Sequence, residues 1–194
     1  MRGLKVNVKR AIVLVVAIVI GMVFIGGALS AGRACAHDPR FACSPRDKAN
    51  PIVVTDAQKS WAFYGDLRSG EYDRYVAKTT HSLAVPMQVL VDKRDTANPA
   101  RPVATVADAS GKTLAVVNFS RVQSFFEPFS RVTYLASVVR TVALPPGQST
   151  IVVTMHGGAA RQRYTLALGR DERFSVLEMP YLFGAVYRVH ARNF

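Results

Sequence analysis

The longest uncharged stretch of the chain lies near its N-terminus and constrains how everything after it can fold. Residues 11–32 (AIVLVVAIVIGMVFIGGALSAG) form a run of 22 residues without a charged side chain. An α-helix rises about 1.5 Å per residue, so about 20 apolar residues suffice to cross the hydrocarbon core of a bilayer. The sequence therefore predicts a membrane protein with one transmembrane helix over 11–32.

The charges on either side of this run predict its orientation. Before it lie four cations and no acid: Arg2, Lys5, Lys9 and Arg10. Cytoplasmic flanks are enriched in Lys and Arg, so residues 1–10 are expected in the cytoplasm and the main domain in the periplasm of a bacterium, with the helix in the inner membrane. The alternative is a cleaved signal peptide, because residues 34–36 (ACA) form an acceptable cleavage site. The length of the run and Arg33 beside that site favour a retained anchor.

Small residues recur along the predicted helix at spacings of four and seven: Ala17, Gly21, Ala28 and Gly32. Such a stripe lets a second helix approach closely in lipid, which predicts packing against another membrane subunit. The alternative is that Gly and Ala are simply common in membrane helices.

The rest of the chain is the size of one domain and is moderately basic. About 160 residues follow the anchor, enough for one hydrophobic core. Residues 1–33 hold five of the 25 cations and none of the 13 acids, which leaves 20 cations against 13 acids and a net charge of +7. Such a domain can attract anionic headgroups, an acidic subunit or an acidic polymer. Nucleic acid is not a predicted partner, because no basic stripe is interleaved with aromatic residues.

Both cysteines, Cys35 and Cys43, follow the anchor closely within residues 33–51, which otherwise read as an irregular linker. In an oxidising compartment such a pair most often forms a disulfide, and we predict one here. His37 lies between them, but two Cys and one His fall short of a four-ligand metal site.

Residues 52–173 consist of short β-rich runs separated by turn residues. Every odd position of Leu83–Asp92 is apolar, which indicates a strand with one buried face. Residues 102–117 read as two strands joined by a turn at 108–111, and 145–148 (PPGQ) marks another turn. The regular spacing predicts an all-β fold, an antiparallel β-sandwich of about eight strands.

Two aromatic segments are predicted to make contacts outside the sandwich. The C-terminal tail 174–194 mixes aromatic and basic side chains: Tyr181, Phe183, Tyr187 and Arg188. It predicts a short interfacial helix, or alternatively a final strand or helix packed on the sandwich. Residues 125–129 (FFEPF) contain Phe125, Phe126 and Phe129, which predict a hydrophobic contact for a partner or the bilayer, or a plug closing one end of the sandwich.

One stretch carries a family resemblance. Residues 60–78 (SWAFYGDLRSGEYDRYVAK) combine an aromatic strand, a Gly turn and the Asp-x-Tyr pair Asp73 and Tyr75. They resemble the opening of bacterial pre-peptidase C-terminal-like domains. Uncharacterised membrane-anchored prokaryotic proteins of that shape contain segments similar to residues 125–134, 144–153 and 164–175. The resemblance covers roughly residues 52–176. It implies a β-sandwich for display or binding and no catalytic residues.

Motifs of catalysis are missing from the sequence. GxSxG, HExxH, Walker A and GxGxxG do not occur, and the four histidines are far apart. Copper at Met87 or at Met155 and His156 is a weak alternative, and the acids form no dense Ca²⁺ loop. No catalytic, cofactor or metal site is therefore predicted, and the chain is not expected to be an enzyme.

These observations favour a non-catalytic accessory or structural subunit of a larger membrane complex, of the respiratory, photosynthetic or a similar kind. Its expected partners are membrane lipid and other membrane-protein subunits, with no small-molecule substrate. The alternative is a membrane-anchored module that binds a glycan or another envelope polymer. A third possibility is a hydrolase whose catalytic residues come from separate loops, but no sequence motif supports it.

Overall fold

A computed structural model describes residues 38–43, 45–46, 49–95, 100–127, 131–158, 160–173 and 179–191. These residues belong to the second of two compact units, 1–34 and 35–194. The predicted transmembrane helix over 11–32, with its stripe of small residues, lies outside the described residues. Within the described ranges, no helix is both long enough and apolar enough to cross a membrane.

Two mixed β-sheets dominate the described chain. The larger sheet contains β1 (Asp38–Phe41), β3 (Trp61–Leu67), β5 (Leu83–Asp92), β8 (Val122–Glu127), β9 (Val132–Ser137), β10 (Arg140–Leu144) and β12 (Gln162–Leu168). The smaller sheet contains β2 (Ile52–Val54), β4 (Tyr72–Thr79), β6 (Arg101–Ala107), β7 (Thr113–Val117) and β11 (Gly147–His156). A 3₁₀ turn (Lys93–Asp95) follows β5, and one α-helix, α1 (Met179–Ala191), follows the last strand.

The two sheets pack face to face around one apolar core. Their strand orders are β1-β3-β12-β5-β9-β8, with β10 also paired to β5, and β2-β4-β11-β6-β7. Val85, Met87 and Val89 of β5 enter the core on the face that the alternation predicts. Removing each such side chain from water contributes about 1.5–3 kcal/mol, so the alternating pattern fixes which face of β5 turns inward.

The predicted all-β class is confirmed, but the strand count and the pairing differ from the prediction. Twelve strands are described where about eight were predicted, and two pairs are parallel: β1 with β3 and β2 with β4. β1 lies inside the segment 33–51 that reads as an irregular linker. The two parallel pairs were not predicted because parallel strands need a long connection and are not neighbours in sequence. β1 and β2 were not predicted because strands of three or four residues are too short to show a period-2 pattern.

The C-terminal tail contains a helix that packs on the sandwich. Leu182, Ala185 and Val189 are buried at spacings of three and four, and Val189 contacts an apolar cluster on the outer face of the larger sheet. The Arg94 guanidinium donates to the His190 carbonyl at 3.2 Å, which satisfies one acceptor of the last helical turn. Of the two predictions for the C-terminal tail, a helix packed on the sandwich therefore describes the buried face of α1.

A kink between β9 and β10 is held by one serine. The two strands pair with opposite halves of β5 and are separated by Val138 and Val139. Ser137 is fully buried at the break, and its Oγ accepts the backbone N–H of Val89 at 3.1 Å. The side chain thus replaces a ladder hydrogen bond that the kink removes.

Replacing Ser137 with alanine is expected to destabilise the protein by about 1–3 kcal/mol, because a buried backbone N–H loses its acceptor. The free energy of unfolding from urea titration measures the effect. Ser124→Ala on the exposed edge strand β8 is the matched control and should change stability by less than about 0.5 kcal/mol. Equal effects of the two substitutions would contradict this role for Ser137.

Candidate functional site

The Asp-x-Tyr pair of the family resemblance lies in a buried network between the sheets. Asp73 on β4 is fully buried; its Oδ1 accepts the backbone N–H of Arg46 at 2.6 Å and its Oδ2 accepts the Tyr164 hydroxyl at 2.5 Å. The Tyr164 and Tyr75 hydroxyls are 2.7 Å apart. Burial raises the pKa of both phenols, and the nearby charge of Asp73 raises it further. The network joins β4 to β12 across the core, which is a structural role.

The histidines in the described ranges form no cluster. His81 contacts the Thr80 hydroxyl at 3.1 Å, His156 contacts the Thr154 hydroxyl at 3.2 Å, and His190 lies on α1. Among the residues that the structure describes, no group of three His, Cys, Asp or Glu side chains could hold a metal ion.

A cleft of about 590 Å³ is lined by residues of β1 and β3 of the larger sheet, β2 of the smaller sheet and α1. We call it the arginine–aromatic cleft. Its lining consists of Arg40, Phe41, Arg46, Asn50, Pro51, Ile52, Val53, Thr55, Trp61, Phe63, Tyr181 and Arg188. Three arginines and four aromatic residues stand in this described lining without an acidic side chain, so the cleft presents positive charge.

Aromatic rings position two of the three guanidinium groups. The Arg40 guanidinium carbon lies 5.2 Å from the Trp61 ring centroid and 5.1 Å from that of Tyr181. The Arg188 guanidinium carbon lies 3.9 Å from the Phe41 centroid. Each such cation–π contact is worth about 0.5–2 kcal/mol, depending on exposure. The rings therefore hold the cations in place and have part of their faces covered by them.

A buried carboxylate contacts one of the arginines of the cleft. Asp38 is fully buried, and its Oδ2 contacts the Lys59 ammonium at 2.6 Å and the Arg40 guanidinium at 3.1 Å. Lys59 also lies 4.6 Å from the Trp61 ring centroid. Asp38 thus contacts both cations and orients the Arg40 guanidinium.

Tyr181 adds a neutral hydroxyl to the cleft. Its side chain is 41% exposed, and partial burial raises the pKa of its phenol although Arg40 opposes that rise. It lies on the first turn of α1, so the packing of the helix on the outer face of the sheet brings it to Arg40.

The residues predicted from the C-terminal tail fall on two sides of α1. Tyr181 and Arg188 line the cleft. Phe183 and Tyr187 are 52% and 70% exposed, one helical turn apart on the outward face. The structure therefore brings only half of this predicted set together.

The predicted phenylalanine segment is also divided. Phe125 on β8 is half-buried against the apolar cluster on the outer face of the larger sheet, whereas Phe126 is 56% exposed. Their opposite orientation follows from strand alternation. Phe129 lies outside the described residues.

The predicted disulfide stays a prediction. Cys43 is exposed and forms no disulfide with another described residue, and its backbone φ is 50°. Its expected partner Cys35 lies outside the described residues.

Sequence reasoning missed most of the cleft. Arg40, Arg46 and Lys59 were not singled out, because Arg40 and Arg46 belong to the apparent linker and Lys59 to a turn-rich segment. Outside the C-terminal tail, the available signal was the aromatic content of β3, which gives Trp61 but not the cations around it. The parallel pairing of Arg40 with Phe63 brings the missing charge to the ring of Trp61.

Fold and cleft together define a two-sheet β-sandwich with a helix on the outer face of its larger sheet. No protein-family model matches the chain, and no curated protein matches it. Among solved structures it is similar to the pre-peptidase C-terminal domain of a collagenase from Bacillus anthracis, at 11% identity and a TM-score of 0.39, over 71% of this chain and 99% of that one. It is also similar to PliG, a periplasmic inhibitor of g-type lysozyme from Salmonella Typhimurium, at 14% identity and a TM-score of 0.34, over 69% and 98%.

Proposed function

We propose that this protein is a non-catalytic accessory subunit of a membrane complex, and that its arginine–aromatic cleft holds an acidic segment of a partner subunit. In this proposal residues 11–32 anchor the chain in the bacterial inner membrane, and the sandwich stands in the periplasm. The observation that carries the proposal is the set of three arginines in a concave surface whose described lining has no acid.

The chemistry of the cleft favours carboxylate groups as its ligands. A guanidinium presents a planar fork of donors that matches a carboxylate, and such charge-assisted hydrogen bonds are stronger than neutral ones. Arg40 and Arg188 are already held over aromatic rings, so less side-chain entropy is lost when they bind. The net charge of +7 on residues 34–194 adds a long-range attraction for an acidic partner.

A carboxylate-bearing envelope polymer is the second candidate. Tyr181 is 41% exposed in the cleft and offers part of its surface to a sugar ring. The guanidinium groups over Trp61 and Phe41 favour a protein partner over a polymer, because they cover ring faces on which a sugar would stack.

Neutralising the cleft is expected to release the partner. We would extract the full-length protein from native membranes in mild detergent, isolate it by affinity and quantify co-purifying subunits by mass spectrometry. The double variant Arg40→Gln, Arg188→Gln should recover at least about tenfold less of a stoichiometric partner, since two charge-assisted contacts are lost. The control variant Arg68→Gln, Arg121→Gln removes the same charge from exposed positions outside the cleft lining and should recover the partner normally.

The same preparations separate the two candidates. Recovery of the wild-type protein without a partner, together with salt-sensitive retention on polygalacturonate that the cleft variant loses, would replace the subunit proposal with the polymer proposal. Equal partner recovery by the cleft and control variants would reject the cleft as the contact. Thermal unfolding midpoints of both variants show whether either substitution affects folding.

A further inference from the structure

A second concave surface lies on the outer face of the larger sheet, away from the core of the sandwich. It encloses about 320 Å³ and is lined mainly by residues of β3, β5, β8, β9 and β12. We call it the outer groove. This volume is near the lower end of the roughly 300–1,000 Å³ that small-molecule pockets occupy. The outer groove shares no lining residue with the arginine–aromatic cleft.

Small residues form the floor of the outer groove and large ones form its walls. Ala62 of β3 and Ala167 of β12 are direct cross-strand partners, so two neighbouring positions carry only a methyl group. Leu90, Phe125 and Tyr134 stand around them on the same face. The hollow therefore follows from side-chain size along the strands, and its surface is mostly apolar.

Within the mostly apolar lining, a carboxylate lies beside two phenols. The cation of this described lining, Arg170, follows the end of β12 that pairs with Met87, whereas Glu127 lies toward Asp92 at the other end of β5. Glu127 of β8 lines the groove although it is only 9% exposed. The Tyr64 hydroxyl is hydrogen-bonded to Tyr134, and both rings line the same groove. Burial raises the pKa of Tyr64, and the nearby Tyr134 and Glu127 raise it further, so the phenol stays protonated beside the acid.

We propose that the outer groove binds a small primary amine with an apolar body. The ammonium group would face the Glu127 carboxylate and the oxygens of Tyr64 and Tyr134, and the apolar body would lie on Ala62 and Ala167. An ammonium carries three donors and no acceptor, which suits a group of oxygen acceptors, and a carboxylate makes the contact charge-assisted. An anionic group placed beside the two phenols would meet the charge of Glu127 in a setting of reduced water, where repulsion is stronger, and the Arg170 guanidinium lies toward the other end of the groove.

Three probes with the same aromatic body test the charge preference: phenethylamine, 2-phenylethanol and 3-phenylpropanoate. The full-length protein in lipid nanodiscs would be titrated by calorimetry, with empty nanodiscs as reference. We expect phenethylamine to bind at least about tenfold more tightly than 3-phenylpropanoate, with 2-phenylethanol between them. Equal affinities, tighter binding of the anion, or no binding of phenethylamine at millimolar concentration would overturn the proposal.

Two variants test the residues. Glu127→Gln should weaken phenethylamine binding by about tenfold and leave 2-phenylethanol nearly unchanged, whereas Glu71→Gln, an acid outside the groove lining, should change neither. Ala167→Leu fills the floor and should abolish binding of all three probes. Undiminished phenethylamine binding in either groove variant would overturn the proposal. If a variant does not fold, the preference of the wild-type protein among the three probes still decides it.

Discussion

Replacing Gly169 with alanine is expected to destabilise the folded protein by about 3 kcal/mol or more, the sum of a backbone and a steric penalty. Gly169 has a φ of +75°, and a Cβ at this position would lie 2.0 Å from the backbone oxygen of Lys59. The surrounding backbone is held on both sides: the Gly169 N–H donates to Pro86, and the N–H groups of Arg170 and Asp171 donate to Gln58. The clash is therefore with fixed backbone, and movement of a side chain cannot relieve it.

Gly70→Ala separates the two penalties. Gly70 has a φ of +88°, but nothing lies within 4 Å of a Cβ built there, so only the backbone cost of about 1–2 kcal/mol is expected. Urea unfolding followed by the fluorescence of Trp61, the single tryptophan, measures both variants. A similar loss of unfolding free energy in Gly169→Ala and Gly70→Ala would mean that the close packing around Gly169 does not add to the backbone penalty.

Raising the pH above about 10 is expected to unfold the protein steeply. Tyr64, Tyr75 and Tyr164 are buried, and burial raises the pKa of each phenol above its ordinary value. In the unfolded chain these phenols ionise near pH 10, whereas the folded protein retains their protons. The stability that they contribute is therefore complete below about pH 10 and is lost as the pH rises toward the folded pKa values, by about 1.4 kcal/mol per pH unit for each tyrosine.

The measurement is the free energy of urea unfolding between about pH 9 and pH 12, where the slope steepens through pH 10 and three tyrosines predict a limiting slope near −4 kcal/mol per pH unit above about pH 11. Tyr75→Phe should reduce that slope by about a third, because one linked proton is removed. The slope is the informative quantity, since this variant also loses the hydrogen bond to Tyr164. A stability that is flat over this range would contradict neutral buried phenols.

The local parts of the fold were predictable from the sequence because they depend on neighbours in the chain. The turn at 108–111 forms as predicted: the Gly111 N–H donates to the Asp108 carbonyl at 3.1 Å. The break predicted at 145–148 is shorter in the structure: Pro145 and Pro146 connect β10 to β11, which begins at Gly147, and the Pro145 carbonyl accepts the Thr79 hydroxyl at 2.7 Å. Turn chemistry and period-2 alternation require no knowledge of the partner strand.

The candidate sites could be predicted only in part because they depend on partner strands. Tyr181 and Arg188 were predicted as contacts from their aromatic and basic character, but their place in a cleft depends on how α1 packs against β1. Glu127 was not predicted as a site residue and lies beside Tyr64, which is 63 positions earlier in the chain. Composition identifies such residues as unusual, and the sheet order decides which of them meet.

The sequence alone therefore determined the uncharged run over 11–32, the inward face of β5 and the turn at 108–111, because each is encoded within about twenty consecutive residues. It also determined the all-β class, because short β-rich runs of this kind repeat along residues 52–173. Only the tertiary structure decided that Arg40 reaches Trp61, that Gly169 lies against Lys59, and that Ala62 and Ala167 hollow the outer face. The physical reason is that strand pairing joins residues far apart in sequence, whereas a period-2 pattern fixes only which face of a strand is buried and leaves its partner strand open.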